Sequence, residues 1–180
     1  ILSQSALQAE RAANILTRLR QFIETGHIEK KSEDLAQIIK SAADLTLPVY
    51  KTEHIDVDIL LPAALPQVVV SDVQIQQVLV NLIRNACEAM QDSGEKTLTI
   101  EANIEGPDFV RVGVIDTGAG LTPDQFDKLY EPFSSSKKGG LGVGLSISQS
   151  IISNHDGRLW AEQKSPRGTG FYFTLPAAQK

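Results

Sequence analysis

A long helical pattern in the middle of the chain constrains its fold most. Apolar residues keep a helical period from Ile75 to Met90, with Asp72 placed to cap the helix and Gly94 near its end. The apolar positions are Ile75, Val78, Leu79, Leu82, Ile83, Ala86, Cys87 and Met90. The pattern predicts one long helix with a single buried face.

Shorter segments with strand-like alternation surround this helix. The predicted strands are Ile55 to Ile59 with one buried face, Val68 to Val70, Leu98 to Ile100, Val110 to Val114, Arg158 to Glu162 and Gly170 to Leu175. A second helix is predicted from Glu33 to Leu47, where Pro48 stops it. Because hairpins replace regular βαβ units, we expect an α+β sandwich rather than a doubly wound sheet.

The first part of the chain predicts a separate helix. From Leu2 to Ile23, apolar residues recur on alternating steps of three and four, as in the seam of a helical bundle or coiled coil. Gly26 is expected to end this helix. We therefore expect two units, residues 1–28 and 29–180. The alternative is that the first helix packs on the domain that follows it.

Charge and composition exclude several classes of function. The net charge of −5 and the pI near 5.2 argue against a general nucleic-acid or membrane-surface binder, since both need clustered Lys and Arg. The longest apolar stretch, Ile59 to Val70, contains two prolines and falls short of a bilayer-spanning helix, and no signal peptide is expected at the start. The single cysteine, Cys87, excludes an internal disulfide, so a reducing cytoplasm is the expected setting.

Residue patterns of several other enzyme classes are missing. His27, His54 and His155 have no paired metal spacing, so each is expected to be a surface or loop residue rather than a ligand. A Walker A pattern is absent. The glycines also lack the order of strand, glycine turn, helix and acid that a Rossmann fingerprint requires.

Two glycine segments indicate a nucleotide site. The first, Gly140 to Leu145, runs into a helical stretch, and glycines that open a helix let backbone N–H groups reach phosphate oxygens. The second, Asp116 to Gly120, follows a strand-like run. The Asp116 carboxylate would accept a hydrogen bond from an exocyclic amine such as adenine N6. A plain turn explains the same residues, because Asp and Gly are both favoured in turns.

One face of the long helix carries a polar stripe. Asn81, Arg84, Asn85 and Glu88 lie three and four residues apart and therefore share that face. Asn is only a modest helix former, and its amide oxygen is a hard ligand suited to Mg²⁺. The stripe is therefore either a ligand set or an ordinary solvated face.

The segment between the glycine turns has the composition of a lid. Glu131-Pro132-Phe133 is followed by three serines, Lys137, Lys138 and two glycines. Small residues move easily, and a lysine from such a loop can reach a terminal phosphate. The alternative is a solvated basic loop.

Five motifs, in this order along the chain, resemble those of a known family. "NLIRNACEAM" resembles the N box, "DTGAG" the first glycine box, "YEPF" the F box, "GLGVGL" the second glycine box, and Gly168-Thr169-Gly170 the third. Together they resemble the catalytic, ATP-binding domain of sensor histidine kinases, within the superfamily that contains gyrase, Hsp90 and MutL. The short serine-lysine lid is most similar to the oxygen- and nitrogen-responsive bacterial kinases. The fold implied is a two-layer α/β sandwich, the Bergerat fold, preceded by a bundle-forming helix.

The resemblance also implies roles for single residues. Asp116 would read adenine, Asn85 would hold Mg²⁺ and Asn81 would lie beside the phosphates. Lys137 would contact the γ-phosphate as the catalytic cation, with Ser135 as a further candidate. The other implied ATP contacts are Gly118, Gly120 and Thr169 around the base, and Gly140, Leu141, Gly142, Gly144 and Leu145 in the lid and the helix start.

Two departures from the family patterns shape the expected activity. The gyrase-like branch has a base-acting Glu where this chain has Asn81, so efficient hydrolysis is not expected. No histidine resembles the phosphoacceptor, whereas Leu2 to Ile23 resembles the second helix of the dimerisation hairpin. We expect Mg·ATP binding, and phosphoryl transfer to an upstream histidine for relay to a response-regulator aspartate.

The expected partners follow from the same resemblance. The full protein is expected to form a homodimer through the helical hairpin, and this segment is expected to contact neither nucleic acid nor membrane. The rival interpretations are a gyrase- or chaperone-like ATPase and a nucleotide-binding scaffold without catalysis.

Overall fold

A five-stranded mixed sheet, covered on one face by helices, is the frame of the molecule. This computed structural model describes residues 29–131, 142–164 and 167–178. The expected first helix, residues 1–28, lies outside the described residues. In chain order the elements are β1 (Lys31–Glu33), α1 (Leu35–Thr46), a 3₁₀ segment (Leu47–Glu53), β2 (Asp56–Leu60), β3 (Val68–Val70), α2 (Asp72–Ala89), β4 (Thr97–Glu105), β5 (Phe109–Asp116), α3 (Pro123–Asp127), α4 (Gly144–Asn154), β6 (Leu159–Gln163) and β7 (Thr169–Pro176).

The strand order in the sheet is β2-β4-β5-β7-β6. Strand β2 runs parallel to β4, and the other neighbouring pairs are antiparallel. β1 and β3 form a separate antiparallel pair. The β4–β5 hairpin turns at Gly106, whose φ of 66° is the left-handed conformation that glycine adopts without strain. This topology confirms the predicted α+β sandwich.

The core lies between the sheet and the helices. Inward-facing side chains of β4, β5 and β7 are fully buried, among them Leu98, Ile100, Val112 and Phe173. Helix α2 packs on β4 and β5, α4 packs on β6 and β7, and α1 packs on α2. The long helix therefore buries the apolar face that its sequence pattern predicts.

The ends of the helices differ slightly from the sequence prediction. The N-cap of α2 is Ser71, while Asp72 is the first helical residue and accepts a hydrogen bond from the Val73 N–H at 2.7 Å. The helix ends at Ala89 rather than near Gly94. Helix α1 begins at Leu35 because the Asp34 carboxylate caps it by accepting from the N–H groups of Ala36 and Gln37. Residue 33, placed in the helix by the prediction, belongs to β1.

Two predictions about burial are wrong. Strand β2 forms as expected, but Val57 and Ile59 are 37% and 41% exposed, because β2 lies at the sheet edge and the helices do not cover it fully. His155, expected at the surface, is completely buried at the end of α4. Its Nε2 accepts a hydrogen bond from the Ser71 N–H at 3.0 Å, and its Nδ1 lies 2.8 Å from the Ile151 carbonyl oxygen. These two contacts require a neutral imidazole with the proton on Nδ1.

Among the described residues, no helix combines the length and the apolar character that a membrane-spanning segment requires. Cys87 is a free thiol buried within α2.

Candidate functional site

A buried carboxylate ends the central strand β5. Asp116 is only 2% exposed, and its Oδ1 accepts hydrogen bonds from the Gly118 N–H at 2.8 Å and the Thr169 N–H at 3.3 Å. A buried charge is costly unless hydrogen bonds compensate for the lost water, and these two donors also fix the direction of the carboxylate. The bond to Gly118 is local and typical of a turn. The bond to Thr169 comes from β7, so turn propensity alone does not explain the position.

The glycine turn after Asp116 lies against the end of α2. A Cβ on Gly118 would come within 2.6 Å of the Ala89 carbonyl oxygen, so glycine is required by close approach. Gly120 has a φ of +78°, and the next N–H, that of Leu121, donates to Gln163 Oε1 at 3.3 Å. Gln163 was not predicted from the sequence, because only the fold brings the end of β6 to this turn.

The third glycine box, Gly168-Thr169-Gly170, contacts the same carboxylate from β7. Gly168 has a φ of +103°, and a Cβ there would collide with the Asp116 carbonyl oxygen. Thr169 is 3% exposed and begins β7, the neighbour of β5 in the sheet. Thr169, which only the family resemblance implied, thus lies beside Asp116 and Gly118 of the predicted glycine turn.

The polar stripe of α2 joins this helix to α4. Asn81 Nδ2 donates to Ser148 Oγ at 3.0 Å, and Asn81 Oδ1 accepts from Arg84 Nη2 at 3.2 Å. A Cβ on Gly144 would collide with Asn81 Oδ1, so the helix start approaches the amide closely. Ser148 was likewise not predicted from the sequence, although it lies one turn after Gly144 on the same helix.

Asn85 lies one turn further along the stripe. Within the described part of the chain its amide makes no hydrogen bond. Asn81, Arg84, Asn85 and Glu88 are all partly buried, and Arg84 Nε lies 3.7 Å from Glu88 Oε1. The partial burial fits a ligand-facing groove better than a fully solvated helix face.

The glycine segment from Gly140 to Leu145 is described only in part. Gly142 has a φ of +65°, Gly144 is the first residue of α4, and Leu145 packs partly against the core. The predicted lid and phosphate contacts Ser135, Lys137, Gly140 and Leu141 lie outside the described residues. Their roles remain predictions.

Cys87 and Tyr130 have strongly raised pKa values. Burial, followed by the charge of Glu88, raises the pKa of the Cys87 thiol to about 11, so this thiol is protonated at neutral pH. Burial raises the pKa of Tyr130 to about 12, and its hydroxyl donates to the Leu159 carbonyl oxygen at 3.4 Å. Neither group is set up as a nucleophile.

The described residues contain no cluster of three His, Cys, Asp or Glu side chains that could hold a metal ion by itself. A magnesium ion at Asn85 would therefore need most of its ligands from phosphate and water. That composition is typical of Mg²⁺ bound together with a nucleotide, and the amide oxygen of Asn85 has the required chemistry.

Comparison with known proteins gives consistent matches. Residues 70–179 match the family described as "Histidine kinase-, DNA gyrase B-, and HSP90-like ATPase". The chain is 42% identical over 179 residues to the sensor protein FixL of Bradyrhizobium diazoefficiens, covering 99% of this chain and 35% of that protein. It is 34% identical to the C4-dicarboxylate transport sensor protein DctS of Rhodobacter capsulatus, covering 96% of this chain and 26% of that protein. The chain thus spans about a third or less of the length of these curated relatives.

Solved structures show the same fold. The catalytic domain of histidine kinase ThkA has a TM-score of 0.74 and 28% identity, over 84% of this chain and 99% of that one. ThkA in complex with the response regulator protein TrrA has a TM-score of 0.77 and 25% identity, over 96% of this chain and 49% of that one. Full-length ShkA in complex with AMPPNP, at 22% identity and a TM-score of 0.81 over 95% of this chain and 36% of that one, supports the fold.

Proposed function

Because the chain belongs to the histidine kinase-, DNA gyrase B-, and HSP90-like ATPase family, we propose that it binds Mg·ATP as the catalytic domain of a sensor histidine kinase. In the longer protein it would transfer the γ-phosphoryl group to a histidine upstream of this sequence. The observation that carries this proposal is the buried Asp116 carboxylate, fixed by two backbone N–H groups beside the helix that carries Asn81 and Asn85.

The adenine base would bind at the end of β5. The Asp116 carboxylate would accept a hydrogen bond from the exocyclic amine, while Gly118, Gly120 and Thr169 shape the walls of the pocket. A carbonyl oxygen at the same place on guanine would face the carboxylate and be repelled. The site therefore selects ATP over GTP.

The phosphates would extend along α2 toward its N-terminal half. Ala119, in the base-side turn, donates its N–H to the Ala89 carbonyl oxygen, whereas Asn81 contacts the start of α4. Eight residues of helix separate Asn81 from Ala89, which corresponds to about 12 Å. Asn81 would contact phosphate oxygens, and Gly142, Gly144 and Leu145 would present backbone N–H groups, together with Gly140 and Leu141.

Asn85 would hold Mg²⁺ through its amide oxygen, and the ion would offset the negative charge of the phosphates. Lys137 would move onto the γ-phosphate when the lid closes, with Ser135 beside it. Asn81 cannot remove a proton from water as a carboxylate would, so hydrolysis is slow and a protein histidine is the favoured acceptor.

The proposal extends to the longer protein. Residues 1–28 would be the second helix of a dimerisation hairpin and residues 29–180 the catalytic domain, in a cytoplasmic homodimer. The phosphoryl group would pass to a receiver-domain aspartate, which is supported by the complex of the ThkA relative with a response regulator.

Calorimetric titration tests the binding step. We expect ATP to bind more tightly than GTP, and removal of Mg²⁺ to weaken ATP binding but not adenosine binding. Equal affinity for ATP and GTP would contradict the adenine assignment. A Mg²⁺ effect of equal size on adenosine would contradict the metal assignment.

A further inference from the structure

Strand β2 is an open edge of the sheet. It pairs only with β4 among the described residues, and all five of its residues are exposed. An edge strand leaves about half of its backbone N–H and C=O groups free to pair with another strand.

The face of the sheet that packs against the helices continues onto β2, but the helices leave the β2 side chains on that face partly exposed. Val57 and Ile59 stand beside Leu98 and Ile100 of β4, which are fully buried. Between β2 and the α1–3₁₀ segment lies a groove of about 370 Å³. Its apolar lining residues are Ala43, Leu47, Pro48, Ile55 and Val57, and the rest of its lining is Asp44, Tyr50, Lys51 and His54. The inward side chains of a sixth strand would reach the apolar part of this groove.

The outer face of β2 carries negative charge. Asp56 and Asp58 alternate with Val57 and Ile59, and Glu101 of β4 lies on the same outer face beside Leu60. Within the described residues neither Asp56 nor Asp58 has an ion pair or a side-chain hydrogen bond. The nearby Lys96 forms a salt bridge with Glu53, with 2.9 Å between Nζ and Oε2.

We propose that the β2 edge binds an extended segment of another protein in which apolar residues alternate with Lys or Arg. The segment adds a sixth strand to the sheet, its apolar side chains enter the groove, and its cations face Asp56 and Asp58. A second copy of this chain is a poor occupant. An antiparallel pair of β2 strands centred on Asp58 would set two aspartates directly opposite each other, which is unfavourable.

The probe is a labelled peptide of alternating Lys and Val, measured by fluorescence anisotropy with the whole chain. Two control peptides are measured in the same way. One has Glu in place of Lys, and the other is a Lys-Val peptide with a central proline, which cannot complete the strand pairing. We expect the Lys-Val peptide to bind, and both others to bind at least about tenfold more weakly.

Matched charge reversals separate the β2 edge from overall charge. Asp56→Lys with Asp58→Lys, and the control Asp108→Lys with Asp127→Lys, each change the net charge from −5 to −1, since each replacement adds two charges. Only the Asp56→Lys, Asp58→Lys variant should stop binding the Lys-Val peptide and start binding the Glu-Val peptide. Hydrogen exchange should slow at β2 amides when the peptide binds.

Three results would overturn the proposal. They are an equal loss of Lys-Val peptide binding in both double variants, slower hydrogen exchange at amides outside β2 instead of in β2, and binding of the proline peptide as tight as that of the Lys-Val peptide. A concentration-dependent dimer with protected β2 amides would assign the edge to a second copy instead. Circular dichroism of the variants checks that the fold is retained.

Discussion

Replacing Asp116 by Asn or by Ala separates nucleotide recognition from folding. Asn keeps an oxygen in the place of Oδ1, so the N–H groups of Gly118 and Thr169 retain their acceptor. What Asn loses is the negative charge, and its amide nitrogen can no longer accept from an adenine amine. A hydrogen bond to a charged group contributes about 1.5–3 kcal/mol. ATP affinity should therefore fall about 10- to 150-fold.

Asp116→Ala removes the acceptor altogether. Two buried N–H groups are then without a partner, at a cost of about 1–3 kcal/mol each. We expect the free energy of unfolding to fall by about 2–6 kcal/mol, which is more than in Asp116→Asn.

Calorimetry with ATP and urea unfolding, applied to both variants, measure the two effects. Asp92→Asn, at an exposed aspartate in the turn after α2, is the control and should change neither quantity. Unchanged ATP affinity in Asp116→Asn would show that the carboxylate does not bind the adenine amine. Equal stability of the Asn and Ala variants would refute the structural role of the two N–H bonds.

Three further predictions concern the surrounding structure. Burial lowers the pKa of His155 below its ordinary 6.5, with Lys30 lowering it further and the Ile151 carbonyl and Asp156 opposing. The unfolded chain therefore binds the proton first, so the stability from His155 is complete above pH 6.5 and is lost as the pH falls below it. Urea unfolding at pH 7.5 and 5.5 should show a smaller pH effect in His155→Gln than in the wild type. Gly168→Ala should lower the free energy of unfolding by about 1–3 kcal/mol, because φ is +103° and the new Cβ would meet the Asp116 carbonyl oxygen. The control Gly94→Ala places its Cβ in open space, so urea unfolding should show a change within about 0.5 kcal/mol. Ser148→Ala removes the acceptor of the Asn81 amide and should weaken ATP binding several-fold. In the same calorimetric titration, adenosine binding should be unchanged. The control Ser150→Ala should bind ATP like the wild type.

Local periodicity is enough to predict α1, α2, α4 and most strands, but not the short helix α3. Helix α2 follows its apolar pattern closely, because one buried face sets both its period and its partner surface. The sequence also points to Asp116, since a glycine turn follows it at the end of a strand-like run, and to the asparagine stripe, since Asn is only a modest helix former.

Contacts between distant segments could not be predicted in this way. Gln163 ends β6, which only β7 separates from β5, so its contact with the glycine turn follows from the strand order of the sheet. Ser148 contacts Asn81 only because α4 packs on α2. His155 was misplaced for the same reason, since its partner Ser71 is 84 residues away in the chain. The exposure of Val57 depends on where the helix layer ends, which alternation within one strand does not encode.

Phosphoryl transfer in trans tests whether this chain is the catalytic domain of a histidine kinase. The chain is incubated with Mg²⁺, ATP radiolabelled on the γ-phosphate and a separately produced helical hairpin that carries a histidine followed by an acidic residue. We expect label on the hairpin that is lost in acid and stable in base, as phosphohistidine is, with little free phosphate. Rapid release of free phosphate with an unlabelled hairpin would contradict this expectation.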